Sequence, residues 1–342
     1  MPPMPDEITA ACSSAASYTG QQVLVTGGLG FIGSNLAIAL ARAGARVTVL
    51  DAMLPQYGAR RFNLDPIKER VTVEIADMRD AAALARVIGG QEFIFQLAGQ
   101  VSHLRSMEDP SGDLEINCRT QLSLLESCRK YNRSARLVLA STRQVYGRPQ
   151  WLPVGEDHPT APVDINGVHK LAAEEYYRLY HRVHGLWTVA LRLTNTYGPR
   201  MDLVTADKGV VGVFVRRALL GETLQLFGGG RQRRDFNYVD DVVDALLLAG
   251  HCDDAAGRVF NLGYPQAYSL RELVEILGEI TGTPFENVPF PRERSAIEIG
   301  DYWGDFAKLA ALTGWRPRTD LAAGLRHTIA FFRRYGGEYL DR

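Results

Sequence analysis

The stretch Gly27-Gly28-Leu29-Gly30-Phe31-Ile32-Gly33 decides the fold of this 342-residue chain. It lies between an apolar run at 23–25, which predicts a short buried strand, and the segment SNLAIALAR at 34–42, which predicts a helix. Glycines at this junction permit a tight turn, a close approach of the backbone to a pyrophosphate, and close packing of the helix on the strand. The N–H groups at the start of the helix favour a phosphate. The sequence therefore predicts a dinucleotide site on a strand-turn-helix unit.

The next predicted strand, at 46–50, is followed by Asp51, eighteen residues after Gly33. An acidic side chain at this point accepts hydrogen bonds from an adenosine ribose and repels a 2′-phosphate. Asp51 therefore favours NAD over NADP, and it disfavours a purely structural glycine turn.

The composition is that of an ordinary globular protein, with 46% hydrophobic and 23% charged residues. A net charge of −1 gives no electrostatic basis for binding nucleic acid or an anionic membrane, and no apolar run approaches the length of a membrane-spanning helix. The first twenty residues contain no Lys or Arg and no continuous apolar core, which predicts a flexible leader over 1–20. The four cysteines lack metal-ligand spacing, so we expect reduced thiols, no metal and a cytoplasmic location.

Short apolar or β-branched runs alternate with helical patterns through the first half of the chain. This alternation predicts an α/β fold with a doubly wound parallel Rossmann sheet. The predicted strands are 23–25, 46–50, 71–75, 93–97, 136–140 and 188–193, and the main predicted helices are 34–42, 114–131, 167–184, 210–220 and 240–249. The alternation weakens beyond Pro199, so we expect a second, smaller C-terminal α/β domain at the open edge of the sheet, where ligands of such folds bind.

Seven motifs follow one another in order: TGGLGFIG at 26–33, Asp77-Met78, QLAGQVS at 96–102, Asn117, STRQVYG at 141–147, LTNTYGPR at 193–200 and RDFNYVDDVVDA at 234–245. Because they carry these motifs in this order, residues 21–335 resemble the extended short-chain dehydrogenase/reductase family, which comprises the NAD-dependent nucleotide-sugar epimerases and dehydratases. The resemblance implies NAD as cofactor and a nucleotide-diphosphate sugar as substrate. We expect a Rossmann domain over 21–195 plus about 236–265, and a nucleotide-sugar-binding domain over about 196–235 and 266–342.

The resemblance also implies roles for individual residues. Asp77 and Met78 would lie beside the adenine, and Leu97, Ala98 and Gly99 would form the edge under the nicotinamide ribose, which Lys170 would hydrogen-bond. Asn195 and Arg234 would bind the diphosphate of the nucleotide sugar, with a further cation from Arg292 or Arg294. The helices at 114–131 and 167–184 match those that pair in the family's homodimers. Their apolar stripes, with small residues such as Ala172 and Ala173, could equally face their own sheet.

One position departs from the family pattern. The family carries a catalytic Tyr four residues before the helical lysine, where the ammonium lowers the pKa of the phenol so that it can accept a hydroxyl proton. Here Asn166 stands four residues before Lys170. An amide cannot accept that proton at neutral pH, so the usual base is missing. The resemblance therefore identifies an atypical member with Asn in place of the catalytic Tyr.

The neighbouring acid pair of the 4,6-dehydratases is also replaced. Arg143 and Gln144 stand where those enzymes carry Asp-Glu, while the hydroxyl residue Thr142 is retained. A dehydratase of the family's usual mechanism is therefore disfavoured.

Five residues could take over the missing proton transfer. His103 lies on a loop that should border the sugar, and histidine titrates in the useful range, although a structural role is its simpler interpretation. Arg143 could stabilise an oxyanion but stays protonated, and Lys170 could act as a base if burial lowers its pKa. We expect His169 to point sideways into solvent and Tyr146 to be structural.

Three functional hypotheses follow. The first is an NAD-dependent nucleotide-sugar epimerase that works through a transient keto-sugar, with the proton transfer reassigned. The second is an elimination or isomerisation by other residues, and the third is a catalytically silent NAD- and nucleotide-sugar-binding protein. Retention of Asn195, Arg234 and the Lys170 helix argues against the silent protein. If the site is otherwise intact, Asn166→Tyr should create or raise conventional activity.

Overall fold

Seven parallel strands form the central sheet of the computed structural model, which describes residues 17–54, 57–204, 209–290 and 298–340. In chain order the strands are β1 Gln22–Thr26, β2 Arg46–Asp51, β3 Val71–Ile75, β4 Phe93–Gln96, β5 Arg136–Thr142, β6 Trp187–Leu193, β7 Asn195–Tyr197, β8 Leu224–Phe227, β9 Arg233–Arg234, β10 Phe236–Tyr238, β11 Arg258–Asn261, β12 Tyr268–Ser269 and β13 Phe285–Val288. The order across the main sheet is β3-β2-β1-β4-β5-β6-β11. The predicted doubly wound parallel sheet is confirmed.

The α-helices lie between and after these strands. They are α1 Phe31–Arg42, α2 Ala81–Ile88, α3 His103–Glu108, α4 Pro110–Leu114, α5 Thr120–Tyr131, α6 Ile165–His184, α7 Val210–Leu219, α8 Val239–His251, α9 Leu270–Thr281, α10 Ala307–Thr313, α11 Leu321–Tyr335 and α12 Gly337–Leu340. A 3₁₀ helix over Arg61–Arg70 leads into β3.

Successive strand residues pack into two cores, one on each face of the sheet. Val23 and Val25 of β1 join residues of α1 and α8 in one cluster, whereas Leu24 joins residues of α2, α5 and α6 in the other. Because helices cover both faces, the central strands β4 and β5 are mostly apolar and buried, whereas β2 and the edge strand β3 carry polar residues between the apolar ones. Short apolar or β-branched runs predict six of the seven strands of this sheet, and the edge strand β11 is not predicted.

The strand order reverses between β1 and β4, and the glycine turn follows β1 at this point. The Gly27 N–H donates to the Leu50 carbonyl (2.8 Å), and the Gly30 N–H donates to the Gly27 carbonyl (3.1 Å). Ligands of open α/β sheets bind beside such a reversal, at the carboxyl ends of the strands. The sheet therefore places the glycine turn where a ligand binds.

A third core cluster lies in the C-terminal half. It joins buried side chains of β7, α7, α9 and α11, including Tyr197, Phe214, Leu273 and Phe332. The pairs β8–β13 and β9–β12 border it, the first parallel and the second antiparallel. This separate cluster supports a second domain, whose proposed boundaries stay a prediction.

The predicted single helix over 114–131 is wrong in one respect. Five residues, Glu115–Arg119, form a wider π turn between α4 and α5. The turn holds the Asn117 amide against the Gln100 carbonyl (2.9 Å) and the Asp113 carboxylate (3.0 Å). Single π turns occur frequently at functional sites, and this one lies beside the candidate site.

Candidate active site

A cleft of about 850 Å³ lies at the carboxyl ends of the sheet strands. Every predicted site residue within the described ranges lines it: Gly27, Gly30, Phe31, Ile32, Gly33, Asp51, Asp77, Met78, Leu97, Ala98, Gly99, His103, Thr142, Arg143, Asn166, Lys170, Asn195 and Arg234. Arg292 and Arg294 lie outside the described residues. The fold thus brings the predicted residues together, and their individual roles stay predictions.

The glycine turn has no room for side chains. A Cβ on Gly33 would lie 2.2 Å from the Gly27 carbonyl oxygen, and one on Gly27, whose φ is +69°, would lie 2.7 Å from the Ala98 nitrogen. Gly30, at the start of α1, carries no side chain to cap the helix. The first N–H groups of α1 are therefore open to the cleft, and the cradle fits the pyrophosphate of a dinucleotide.

Asp51 is buried at the end of β2 and organises the turn. Its carboxylate accepts hydrogen bonds from the backbone N–H groups of Leu29 (3.0 Å) and Met53 (2.8 Å). Burial raises the pKa of Asp51, and these two bonds partly offset the increase. The side chain is thus fixed in the cleft wall, as a ribose-binding carboxylate requires.

Asp77, in contrast, already has a partner that the sequence analysis missed. Arg79 Nη2 lies 2.6 Å from one of its oxygens, and the hydrogen bonds from Arg79 hold the pKa of Asp77 below its usual value. An adenine amino group would share this carboxylate with Arg79.

Asn166 is buried and takes part in a network of polar side chains. Its Nδ2 donates to the Gln100 carbonyl (2.8 Å) and to Asp113 Oδ2 (3.1 Å). The same carboxylate accepts from Gln100 Nε2 (2.9 Å), and its other oxygen lies 2.7 Å from His169 Nδ1. A buried carboxylate needs such donors, and Asn166 Nδ2 is one of those that serve Asp113.

The expectation for His169 is therefore wrong. The imidazole is mostly buried, with 13% of its side chain exposed, and it pairs with Asp113 instead of pointing into solvent. This partner, Asp113 on α4, is 56 residues from His169 in the sequence, and no local sequence pattern indicates the contact.

Asn166→Tyr is now expected to destabilise the protein rather than to restore activity. A larger side chain must enter a site that is 1% exposed, and Asp113 loses an amide donor. Overpacking and a lost buried hydrogen bond each cost about 1–3 kcal/mol. Thermal unfolding should show a melting temperature several degrees lower. Leu220→Tyr, at an exposed position just after α7, is the control and should leave it unchanged.

Lys170 is buried on α6 at the floor of the cleft. Its Nζ lies 3.4 Å from the Ala140 carbonyl oxygen, and a Cβ on Gly99 would approach Nζ to 3.0 Å. Burial lowers the pKa of Lys170 to about 8, against the attraction of Asp113 and Glu174. Gly99 therefore keeps the space in front of this ammonium open for a ligand oxygen.

His103 begins α3 and faces the cleft with 34% of its side chain exposed. Its Nδ1 is hydrogen-bonded to Asp164 Oδ2, and its Nε2 to the Gln144 side-chain nitrogen. Because a carboxylate only accepts, the neutral ring carries its hydrogen on Nδ1 and its lone pair on Nε2. This arrangement is that of a carboxylate-oriented general base.

Asp164 is held firmly in place as the N-cap of α6. Its Oδ1 accepts from the Gly167 N–H (2.7 Å), and only 1% of its side chain is exposed. Burial alone would raise the pKa of Asp164, but the hydrogen bonds from His103 and the Gly167 N–H, together with the nearby charge of Arg143, lower it. The carboxylate therefore stays ionised beside the imidazole.

The motif STRQVYG is anchored by a buried network. Tyr146 donates to Asn261 Oδ1 (2.7 Å) and accepts from Arg192 Nη1 (2.6 Å), and Arg192 forms a two-point ion pair with Glu174. Tyr146 is thus structural, as expected. Thr142, in contrast, lines the cleft; its Oγ1 accepts from the Gln144 N–H (3.3 Å), which leaves the hydroxyl hydrogen available to a ligand.

The two proposed diphosphate ligands are already hydrogen-bonded within the protein. Asn195 Nδ2 donates to the Asp235 carbonyl (3.0 Å), and Arg234 Nη2 pairs with Glu298 (3.0 Å) while its Nη1 bonds to the Gly300 carbonyl. A diphosphate would compete with Glu298 for this guanidinium.

Two features are absent from the described residues. None of the helices there is long and apolar enough to cross a membrane. Within the same ranges, no group of three or more His, Cys, Asp or Glu side chains could hold a metal ion.

Comparison with known proteins agrees with this geometry. The sequence model of the NAD dependent epimerase/dehydratase family matches residues 23–263. A UDP-glucose 4-epimerase from Mycolicibacterium smegmatis is 33% identical over 317 residues, which cover 91% of this chain and 98% of the relative.

Two solved structures have the same fold. An epimerase from Methanothermobacter thermautotrophicus superposes with a TM-score of 0.90 at 28% identity, covering 97% of both chains. A UDP-glucose 4-epimerase from Thermotoga maritima, solved with UDP-glucose, gives a TM-score of 0.85 at 32% identity, covering 92% of this chain and 99% of that one. The chain therefore belongs to the NAD-dependent epimerase/dehydratase family, as an extended short-chain dehydrogenase/reductase whose cofactor is NAD.

Proposed function

We propose that this enzyme epimerises a carbinol carbon of a nucleotide-diphosphate sugar, with His103 as the group that takes and returns the hydroxyl proton. The observation that carries the proposal is the imidazole in the cleft, with Asp164 on Nδ1 and the Gln144 side-chain amide on the lone pair of Nε2. Bound NAD supplies the acceptor and donor of hydride at the sugar carbon. The resemblance to epimerases and the retained cleft residues support this function over a silent binding protein.

The surroundings of His103 suit both of its protonation states. Asp164 would stabilise the imidazolium that forms when Nε2 takes a proton. Gln144 donates to Nε2 in the neutral ring, and its Oε1 is buried without a hydrogen-bond partner among the described residues. This amide occupies the lone pair of Nε2, so it must rotate away before the sugar hydroxyl can approach. The same rotation would present Oε1 to the protonated Nε2–H. The Thr142 hydroxyl would donate a hydrogen bond to the same sugar oxygen.

We assign the cofactor to the residues of the glycine turn, with Asp51 at the adenosine ribose and Lys170 at the nicotinamide ribose. Asp77, Met78 and the edge at 97–99 complete the site. Asn195 and Arg234 would hold the diphosphate of the sugar nucleotide, on the side of the smaller proposed domain. Each of these residues lines the same cleft.

The charge of Lys170 predicts a pH dependence of NAD binding. The folded pKa of about 8 lies below the ordinary value of 10.5, so the ammonium is lost as the pH rises through 8. Because one proton is linked, NAD affinity should fall by up to about tenfold between pH 7 and pH 9. Calorimetric titration measures this change. Lys170→Met should bind NAD weakly and with no such dependence; an equal dependence in that variant would contradict the assignment.

The function is tested with a panel of nucleotide sugars. UDP-glucose, UDP-galactose, UDP-N-acetylglucosamine, UDP-glucuronate and dTDP-glucose are incubated with the NAD-loaded protein, while products and NADH absorbance are followed. We expect conversion of at least one sugar to its epimer with no net NADH. Release of a dehydrated sugar would favour the elimination hypothesis instead, and binding without any conversion would overturn the proposal.

We also propose a homodimer formed through α6. Ala173 packs in the sheet core, whereas Val168, Leu179 and Val183 expose 47%, 41% and 60% of their surface along an outward stripe. An exposed apolar stripe of this kind is typical of an interaction surface. Light scattering of the eluting protein should give twice the chain mass of 37.8 kDa, and the chain mass itself would contradict the proposal.

A cytoplasmic location is the remaining proposal. The three described cysteines, Cys118, Cys128 and Cys252, form no disulfide. Unpaired thiols fit a reducing compartment.

A further inference from the structure

Arg143 is a cation in the cleft wall whose charge is not directly paired among the described residues. It follows Thr142 at the end of β5 and lines the cleft, yet none of the ion pairs in the described ranges includes it. Its Nη1 is buried without a hydrogen-bond partner there. A buried charge is costly unless it is paired, so an anion from a ligand would complete this position.

The protein holds the guanidinium in place without neutralising it. Arg143 lies 5.0 Å from the centre of the Tyr302 ring, and that ring is fully buried. Burial and the nearby Arg234 lower the pKa of Arg143 to about 10, which still leaves it charged at neutral pH. Its acidic neighbour Asp235 bonds to the Gly304 N–H (2.9 Å), and burial raises the pKa of this carboxyl to about 7. Asp235 is therefore only a partial counter-charge. Two other nearby carboxylates, Asp164 and Glu298, are paired with His103 and Arg234.

The position of Arg143 indicates which part of a ligand it would reach. It lies in sequence between Thr142 and Gln144, and the Gln144 amide contacts His103 Nε2. These neighbours belong to the sugar end of the cleft, where we place the proton transfer. Arg234, the proposed diphosphate ligand, is also near Arg143, but it is engaged with Glu298 and the Gly300 carbonyl.

We propose that Arg143 pairs with an acidic group on the sugar, so that the enzyme selects nucleotide sugars carrying a carboxylate, such as a uronic acid. This inference rests on the proposed function, because it assumes a nucleotide sugar in the cleft. A guanidinium suits a carboxylate because its planar N–H groups match the two oxygens.

The test compares UDP, UDP-glucose and UDP-glucuronate by calorimetric titration of the NAD-loaded protein. We expect the wild type to bind UDP-glucuronate at least about tenfold more tightly than UDP-glucose. Arg143→Met should reduce this ratio to about one while the affinity for UDP stays within twofold. Arg143→Lys, which keeps the charge without the planar donor pair, should retain part of the preference.

Two results would overturn the proposal. One is equal affinity of the wild type for both sugars. The other is an Arg143→Met variant whose affinity for UDP falls as much as its affinity for UDP-glucuronate. That result would assign Arg143 to the diphosphate. The melting temperature of Arg143→Met checks folding and should be equal to or above that of the wild type, because an unpaired charge is removed. Because the titration measures affinity and needs no catalysis, the selectivity for a carboxylate is tested separately from epimerase activity.

Discussion

His103→Asn should lower kcat for sugar conversion by about 10²–10⁴-fold, the usual contribution of a positioned general acid or base. Asparagine keeps a donor near Asp164 but has no nitrogen lone pair to accept the proton. Affinity for NAD should stay close to the wild-type value, because the imidazole contacts Asp164 and Gln144 rather than the glycine turn. Initial rates with the converted sugar, together with a calorimetric titration of NAD, measure both quantities.

Asp164→Asn separates the role of the carboxylate from the folding of α6. The amide oxygen can still cap the helix at the Gly167 N–H, but the amide nitrogen would face His103 Nδ1 and favour the wrong tautomer. A loss of kcat of about 100-fold or more is expected, with little change in melting temperature. His327→Asn, an exposed histidine on α11 outside the cleft, is the control and should leave the rate unchanged. A His103→Asn enzyme within about threefold of the wild-type rate would move the proton transfer to another group, with Lys170 the first candidate.

Gly33→Ala should weaken NAD binding at least tenfold, or about 1.4 kcal/mol. Its Cβ would lie 2.2 Å from the Gly27 carbonyl oxygen, so the turn must open and move the first N–H groups of α1 away from the pyrophosphate. The mutation places no new charge in the cleft, and the loss of affinity should come from this displacement alone.

A graded series keeps the result interpretable if Gly33→Ala is poorly folded. A Cβ on Gly30 would lie 3.2 Å from the same oxygen, and one on Gly155 would meet no atom within 4 Å. Affinity for NAD should therefore follow the order Gly155→Ala, Gly30→Ala, Gly33→Ala, from wild-type to weakest, at matched melting temperatures. Wild-type affinity in a folded Gly33→Ala protein would contradict the assignment of the pyrophosphate to this turn.

The sheet and the glycine turn could be predicted because their signals are local. Short apolar or β-branched runs mark six of the seven sheet strands, and the spacing of Gly27, Gly30 and Gly33 with Asp51 places the turn and its carboxylate. Each signal lies within a few residues of the structure that it forms.

The acid/base arrangement could not be predicted in the same way. His103 and Asp164 are 61 residues apart, and Asn166 and Asp113 are 53 apart. Both contacts depend on how α3 and α4 pack against α6, which no spacing rule encodes. The sequence shows that a tyrosine is missing at 166, but only the fold shows that the amide there binds Asp113 and that a histidine with its own carboxylate faces the same cleft.

The reassignment of the proton transfer is tested most directly by a crystal structure with NAD and the converted nucleotide sugar bound. We predict that the reacting hydroxyl lies about 2.6–3.2 Å from His103 Nε2, the reach of a general base, and that Asn166 Nδ2 remains on Asp113. A reacting hydroxyl beyond hydrogen-bond reach of His103, with Lys170 Nζ or another group in its place, would contradict it.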